Sequence, residues 1–218
     1  MRVCLTSQAF QVNAAGRLSL PLGEAIFSQR AIRRLRPDPI PEADIEVILE
    51  AAGRAPSAAN HQPWRFIVIR DSDRKQKLQA IYKEAWWSRR HPLGIHTPAD
   101  IPADDHIAQA AQRLTEVIGT APVLILVCCL PTPLPNECLT ACQNLLLAAR
   151  ALGVGGTLTS LGGPADQPLR DLFGLPDDVT ATFMVPLGYP VGRFGAARRK
   201  PVHEIAFSEG WDQPFPAR

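Results

Sequence analysis

From Glu137 to Leu152 the chain carries an apolar face that no stable fold can leave in water. Leu139, Cys142, Leu145, Leu146, Ala149 and Leu152 recur at helical spacing, and Gly153 stands where a left-handed residue closes a helix. The cover must be either a sheet of this chain or a second copy of it. Sheet material is at hand: Val123–Cys129 is an unbroken Val/Ile/Cys-rich run of strand length, and far too short to span a membrane. Phe66–Ile69, Gly155–Ser160 and Thr180–Leu187 read as further strands.

Between the strands, helical patterns recur. Leu22, Ile26 and Phe27 mark a short helix face. Pro41 with Glu42 and Asp44 opens a helix whose Ile45, Ile48, Leu49 and Ala52 share one face, ending near Gly53. Lys75–Tyr82, Asp105–Ile118 and Pro168–Phe173 complete the set. The alternation specifies an α/β or α+β layered fold. Residues 1–18 lack periodicity and read as an N-terminal extension. Residues 83–104 hold Trp86, Trp87, Arg89, Arg90, His91 and His96 among turn formers and read as a long excursion over the domain.

The 218 residues carry a net charge of only +2, so no global field recruits nucleic acid or an anionic membrane, and anion binding has to be local. The first residues make a poor signal peptide. Five cysteines with no Cys-x-x-Cys pair read as buried reduced thiols, and a cytoplasmic protein is expected.

Three stretches carry candidate chemistry. Arg30, Arg33, Arg34 and Arg36 concentrate guanidinium groups; in a helix the first three share a face, which suits either a phosphate or solvent. Arg198, Arg199 and Lys200 offer a second basic cluster. Pro56-Ser57-Ala58-Ala59-Asn60 is a small-residue turn that either lets backbone approach a flat ligand or simply links helix to strand. Gly155–Gly163 lacks the spacing of a P-loop or a dinucleotide fingerprint. His91 and His96, with no suitably placed acid or cysteine, make a weak metal site.

Taken together, Ser28–Pro37 and the Pro56–Trp64 turn, with Gln143–Gly153 and Pro186–Pro190, resemble the nitroreductase family. The resemblance implies an α+β, three-layer sandwich, a mainly antiparallel sheet flanked by helices, in which residues 19–218 form a single FMN-binding domain. It implies an intertwined homodimer with FMN at the interface. Arg30, the backbone at Ala31, Arg33 and the late Arg199 would hold the flavin phosphate and ribityl chain. Gln29 stands where the family usually has a second arginine, and Ala31 where many members have serine. Pro56, Ser57, Ala58 and Asn60 would reach the partner's flavin, and backbone N–H groups at Thr159, Ser160 and Leu161 would meet its N5 and O4 edge. The implied activity is ping-pong transfer from NAD(P)H through FMN to an electron-poor small molecule, a nitroaromatic, quinone or activated alkene, with no catalytic side chain. Flavin storage, dehalogenation, azoline oxidation and flavin fragmentation remain as alternatives.

Overall fold

The computed structural model describes residues 13–132 and 136–215. In chain order it contains α1 (Ala14–Arg17), α2 (Leu22–Ser28), α3 (Glu42–Gly53), β1 (Trp64–Ile69), α4 (Ser72–Ser88), α5 (His106–Val117), β2 (Val123–Cys129), α6 (Cys138–Ala151), β3 (Gly155–Gly156), β4 (Thr159–Ser160), α7 (Asp166–Phe173) and β5 (Thr180–Gly188). The strands form one sheet in the order β1-β2-β5-β3, with β4 also on β5, and every pairing is antiparallel.

The period of two along β2 explains the layering. Val123, Ile125, Val127 and Cys129 point into a core closed by α3 and α6, whereas Leu124, Leu126 and Cys128 point into a second core closed by α4, α5 and α7. A strand apolar on both faces is therefore covered on both, giving an α/β/α sandwich. The register slips between Val127 and Cys128, where Thr182 of β5 is the extra residue and its hydroxyl donates to the Val127 carbonyl at 3.2 Å.

The buried face of α6 differs in detail from the expected one. Cys138, Ala141, Cys142, Leu145, Leu146, Ala148 and Ala149 are buried, while Leu139 is exposed. Leu139 lies in the first turn of the helix, on the side away from the sheet. Helix α4 runs further than Tyr82, because Tyr82, Ala85 and Trp86 continue its buried face. The excursion therefore begins after Ser88.

Within the stretch read as an extension, Ala14–Arg17 forms a helical turn that packs on α3, with Arg17 paired to the buried carboxylate of Asp44. Residues 1–12 lie outside the described residues. No helix among the described residues is long and apolar enough to cross a membrane.

Candidate functional site

The arginine cluster is not helical. Helix α2 ends at Ser28, Gln29 is already extended, and the chain then runs along the edge of the sheet. The Ile32 N–H donates to the Gly156 carbonyl at 2.9 Å, and Arg36 N–H to Tyr189 at 2.8 Å. Val191 N–H returns a bond to the Arg34 carbonyl at 3.0 Å. Leu35 and Pro190 form an antiparallel bridge. The residue before a proline disfavours helix, and Pro37, Pro39 and Pro41 follow in quick succession, so an edge-strand course wins over the helical face expected for Arg30, Arg33 and Arg34. This close approach needs Gly155, where an added Cβ would sit 2.9 Å from Ile32 Cγ2.

The segment forms one wall of a cleft of about 610 Å³, whose other walls are α5 and the turn at Gly192 and Arg193. Arg30, Arg33, Arg34, Arg113 and Arg193 line it, with Ala31 and Ile32 between them. A smaller pocket of about 240 Å³ shares Arg33 and Leu114 with the cleft and lies between the end of α4 and Thr157–Ser160. Arg89, Arg90, Tyr82 and Trp86 line its α4 side. Seven arginines thus face the two cavities against one acid, Glu116, and that carboxylate is already paired with Lys83 Nζ at 2.7 Å. In a chain of net charge +2 this is a local concentration of uncompensated positive charge. Guanidinium forks in that setting fit a phosphate monoester.

Burial pushes the Tyr82 phenol up, opposed by Arg89, Arg33 and Arg90, so it remains an O–H donor at neutral pH. Burial also lowers Arg90, helped by the neighbouring Arg89 charge. Its guanidinium lies 3.5 Å from the Trp86 ring centroid and donates to the Trp86 carbonyl at 3.3 Å.

On β4 the hydroxyl of Thr159 is committed to the Met184 carbonyl at 2.8 Å, and Ser160 is exposed toward the small pocket. Leu161 does not fit its expected role. Its N–H donates to the Thr182 carbonyl at 2.9 Å and its side chain is buried in the core with α7, so it has no N–H to offer a ligand. Arg199 is exposed and donates to the Arg198 carbonyl at 2.9 Å. The late residue that closes on the early cluster is Arg193, whose carbonyl accepts from Arg30 Nη2 at 2.8 Å. Neither Arg193 nor Arg113 is legible as a site residue from sequence. Arg193 does stand three residues after the Gly188-Tyr189-Pro190 stretch, and that position is the one available signal.

The Pro56–Asn60 turn lies elsewhere. It precedes β1, whereas Ile32 lies beyond β3, so four strand spacings, about 19 Å, separate the two edges. The turn is tightly specified. Ser57 Oγ accepts the Gln62 N–H at 2.9 Å, Thr140 Oγ donates to the Pro56 carbonyl at 3.1 Å, and the Ala58 N–H donates to Glu137. Glu137 also accepts from the Thr132 hydroxyl; that bond and the Ala58 N–H hold its carboxyl below the usual range. Ala59 (φ 44°), Asn60 (φ 58°) and Gln62 (φ 48°) all occupy left-handed backbone, a strained arrangement for non-glycine residues. Asn60 is exposed, and its Oδ1 accepts from Gln62 Nε2 at 3.1 Å.

His91 and His96 stack on one another with ring centroids 5.1 Å apart, and Trp87 stacks on His91 at 6.3 Å. No group of His, Cys, Asp and Glu among the described residues could hold a metal ion.

A three-layer sandwich with a wholly antiparallel sheet and an arginine-lined cleft at its edge defines an α+β fold. Comparison with known proteins makes this specific. The Nitroreductase family profile matches residues 26–189, and the chain belongs to that family. A Thermus thermophilus NADH dehydrogenase is 30% identical over 204 residues, covering 83% of this chain and 92% of its own. A Methanothermobacter thermautotrophicus protein, provisionally named an NADH dehydrogenase/NAD(P)H nitroreductase, is 32% identical over 201 residues, covering 87% and 90%. Rat iodotyrosine deiodinase 1 is 32% identical over 182 residues, covering 77% of this chain but 61% of the rat protein. The fold matches the crystal structure of the FMN and NADPH-dependent nitroreductase NfnB of a Sphigopyxis strain (TM-score 0.66, 22% identity, 87% of this chain and 99% of that one).

Proposed function

We propose that the protein is an FMN-dependent oxidoreductase that passes electrons from NAD(P)H to an electron-poor small molecule in two half-reactions. The single observation that carries this reading is the cluster of arginines, free of carboxylate partners among the described residues save the already paired Glu116, on the sheet edge of a nitroreductase-family chain. FMN, when bound, supplies hydride acceptance and donation. The chain's own residues do the rest. Arg30, Arg34 and Arg193 hold the phosphate, with the Ala31 backbone beside them. Arg33, common to both cavities, places positive charge where the reduced ring system gathers negative charge. Ser160 and the Thr159 backbone border the ring edge, and Trp86 screens that pocket from water.

The second half of the cofactor site comes from a second copy of the chain, through Pro56, Ser57, Ala58 and Asn60. Their position on the opposite sheet edge from the arginines supports this. An intertwined homodimer also covers α2, whose Leu22 and Phe27 are 70% and 78% exposed, and the apolar groove of about 580 Å³ between α1, α2, α3 and α6.

The deciding experiment is an anaerobic absorbance spectrum of the purified protein, before and after NADPH or NADH. Flavin bands that bleach support the reading, and a colourless protein that FMN cannot reconstitute overturns it. Light scattering should give about 48 kDa, twice the 23.8 kDa chain. The iodotyrosine deiodinase relatives favour one second reading, reductive dehalogenation, which release of iodide from 3-iodo-L-tyrosine by the reduced protein would establish.

A further inference from the structure

The pocket at the end of α4 carries more positive charge than the flavin reading uses. Arg33 belongs to the cofactor cleft, but Arg89 and Arg90 reach the same pocket from a different element. Part of this has a local explanation: a helix C-terminus attracts cations, and Arg90 caps the Trp86 carbonyl while lying over the Trp86 ring. That accounts for one arginine's position and for no counter-charge. No carboxylate among the described residues lies within ion-pair distance of Arg33, Arg89 or Arg90. Asp105 acts on Arg90 only at longer range, and its carboxylate accepts the Ala108 N–H at 2.8 Å at the start of α5. Besides the arginines, the Tyr82 phenol and exposed Ser160 are hydrogen-bond donors to an anion; Thr157 and Thr159 also line the pocket, the Thr159 hydroxyl already committed to the Met184 carbonyl.

We propose that this pocket selects an electron acceptor bearing a carboxylate, with Arg89 and Arg90 as the specificity-determining residues. The inference rests on the flavin reading for the identity of the neighbouring ring, but the pocket itself does not. No acid among the described residues lines it, so a substrate's ammonium group would find no partner there, and a simple anion is favoured over a zwitterion. Arg90 is half-buried and pre-oriented by Trp86, and Arg89 is exposed, so Arg90 contributes more per bond.

The test compares 4-nitrobenzoate with its neutral twin 4-nitrobenzamide, reading the ratio of their kcat/KM values so that intrinsic reactivity cancels between variants. The ratio should fall about threefold to tenfold in Arg89→Gln and about tenfold or more in Arg90→Gln, the range for losing one charge-assisted hydrogen bond at an exposed and at a half-buried site. An unchanged ratio in both variants overturns the proposal. So does a fall confined to the NADPH/NADH ratio, which would assign the arginines to the 2′-phosphate of the donor.

A second readout needs neither flavin nor turnover. Trp86 lines the pocket, so quenching of tryptophan fluorescence in the protein as purified reports binding of each nitro compound. Preferential quenching by the benzoate, lost in Arg89→Gln, supports the anion pocket even if the protein proves to hold no flavin. Equal quenching by both compounds, or a preference that Arg89→Gln leaves intact, refutes it.

Discussion

Replacing Gly155 with alanine tests how the arginine segment is held to the sheet. The new Cβ would stand 2.9 Å from Ile32 Cγ2, 3.0 Å from its Cβ and 3.2 Å from its Cγ1. Carbon atoms pack comfortably at about 3.5–4.0 Å, so Ile32 must retreat by about 0.5–1 Å. Because the Ile32 Cβ is itself too close, a change of rotamer cannot relieve the clash and the backbone has to move. That retreat stretches the 2.9 Å bond from Ile32 N–H to the Gly156 carbonyl beyond hydrogen-bonding range. Overpacking costs about 1–3 kcal/mol and the lost bond about 1 kcal/mol more. At roughly 2–4 °C per kcal/mol for a chain of this size, the melting temperature should fall by about 4–16 °C.

The companion variant is Ile32→Ala, which alone should cost about 2–4 kcal/mol as a large-to-small core substitution. In the double variant the methyl introduced by Gly155→Ala occupies space that the isoleucine branches vacate, so the combined loss should be smaller than the sum by about 1–2 kcal/mol. Thermal unfolding followed by circular dichroism gives the stabilities, and flavin retained through gel filtration reports whether Arg33 has been displaced. Strict additivity, or a Gly155→Ala protein melting within about 1 °C of wild type, would refute the account.

Arg150 ties α6 to α2 through Ser28 Oγ (2.8 Å) and Glu24 (3.0 Å) and lies 4.3 Å over the Phe194 ring; Arg150→Ala should cost about 2 kcal/mol in denaturant unfolding, and Arg150→Lys should recover less than half. Glu137 has a folded pKa below its ordinary value, so its contribution is present above the unfolded pKa, about 4.3, and is lost as pH falls through the lower folded value. The stability gap between wild type and Glu137→Gln should therefore be full at pH 7 and close toward pH 3; a gap independent of pH would remove Glu137 as the acid-sensitive clasp of the Pro56–Asn60 turn. Burial pushes the thiols of Cys128 and Cys142 up to about 11 and about 12, so neither should react with a disulfide reagent at pH 8 until the protein unfolds. Labelling of either in the native protein, located by peptide mass, would contradict their burial.

Much of this is written in the sequence because it depends on local chemistry. The period of two in Val123–Cys129 and the helical face of Glu137–Leu152 require a sheet covered by helices, and the order of short motifs identifies the family. The site is less legible where tertiary placement decides. Four arginines in seven residues look helical by spacing, yet three following prolines and the pairing with Tyr189 and Val191 make the segment an edge strand. Arg113 and Arg193 have no motif of their own and become site residues only because α5 and the Gly192 turn face that strand. Leu161 escapes sequence reasoning because a strand end cannot be distinguished, from sequence, from a strand still donating to its neighbour. Trp86 emerges as a pocket wall only because α4 continues past the expected helix end at Tyr82.

The placement of the arginine segment and the Pro56–Asn60 turn on opposite sheet edges has a consequence for inheritance of damage. If each cofactor site takes its arginines from one chain and its turn from the other, two chains inactivated in different halves can rescue one another. Paired, a chain defective at Arg33 and a chain defective at the turn place both lesions in one site and leave the other whole. Random reassortment of equal amounts would then restore about one site in four. In a cell carrying both alleles, two nonfunctional genes would leave a working enzyme.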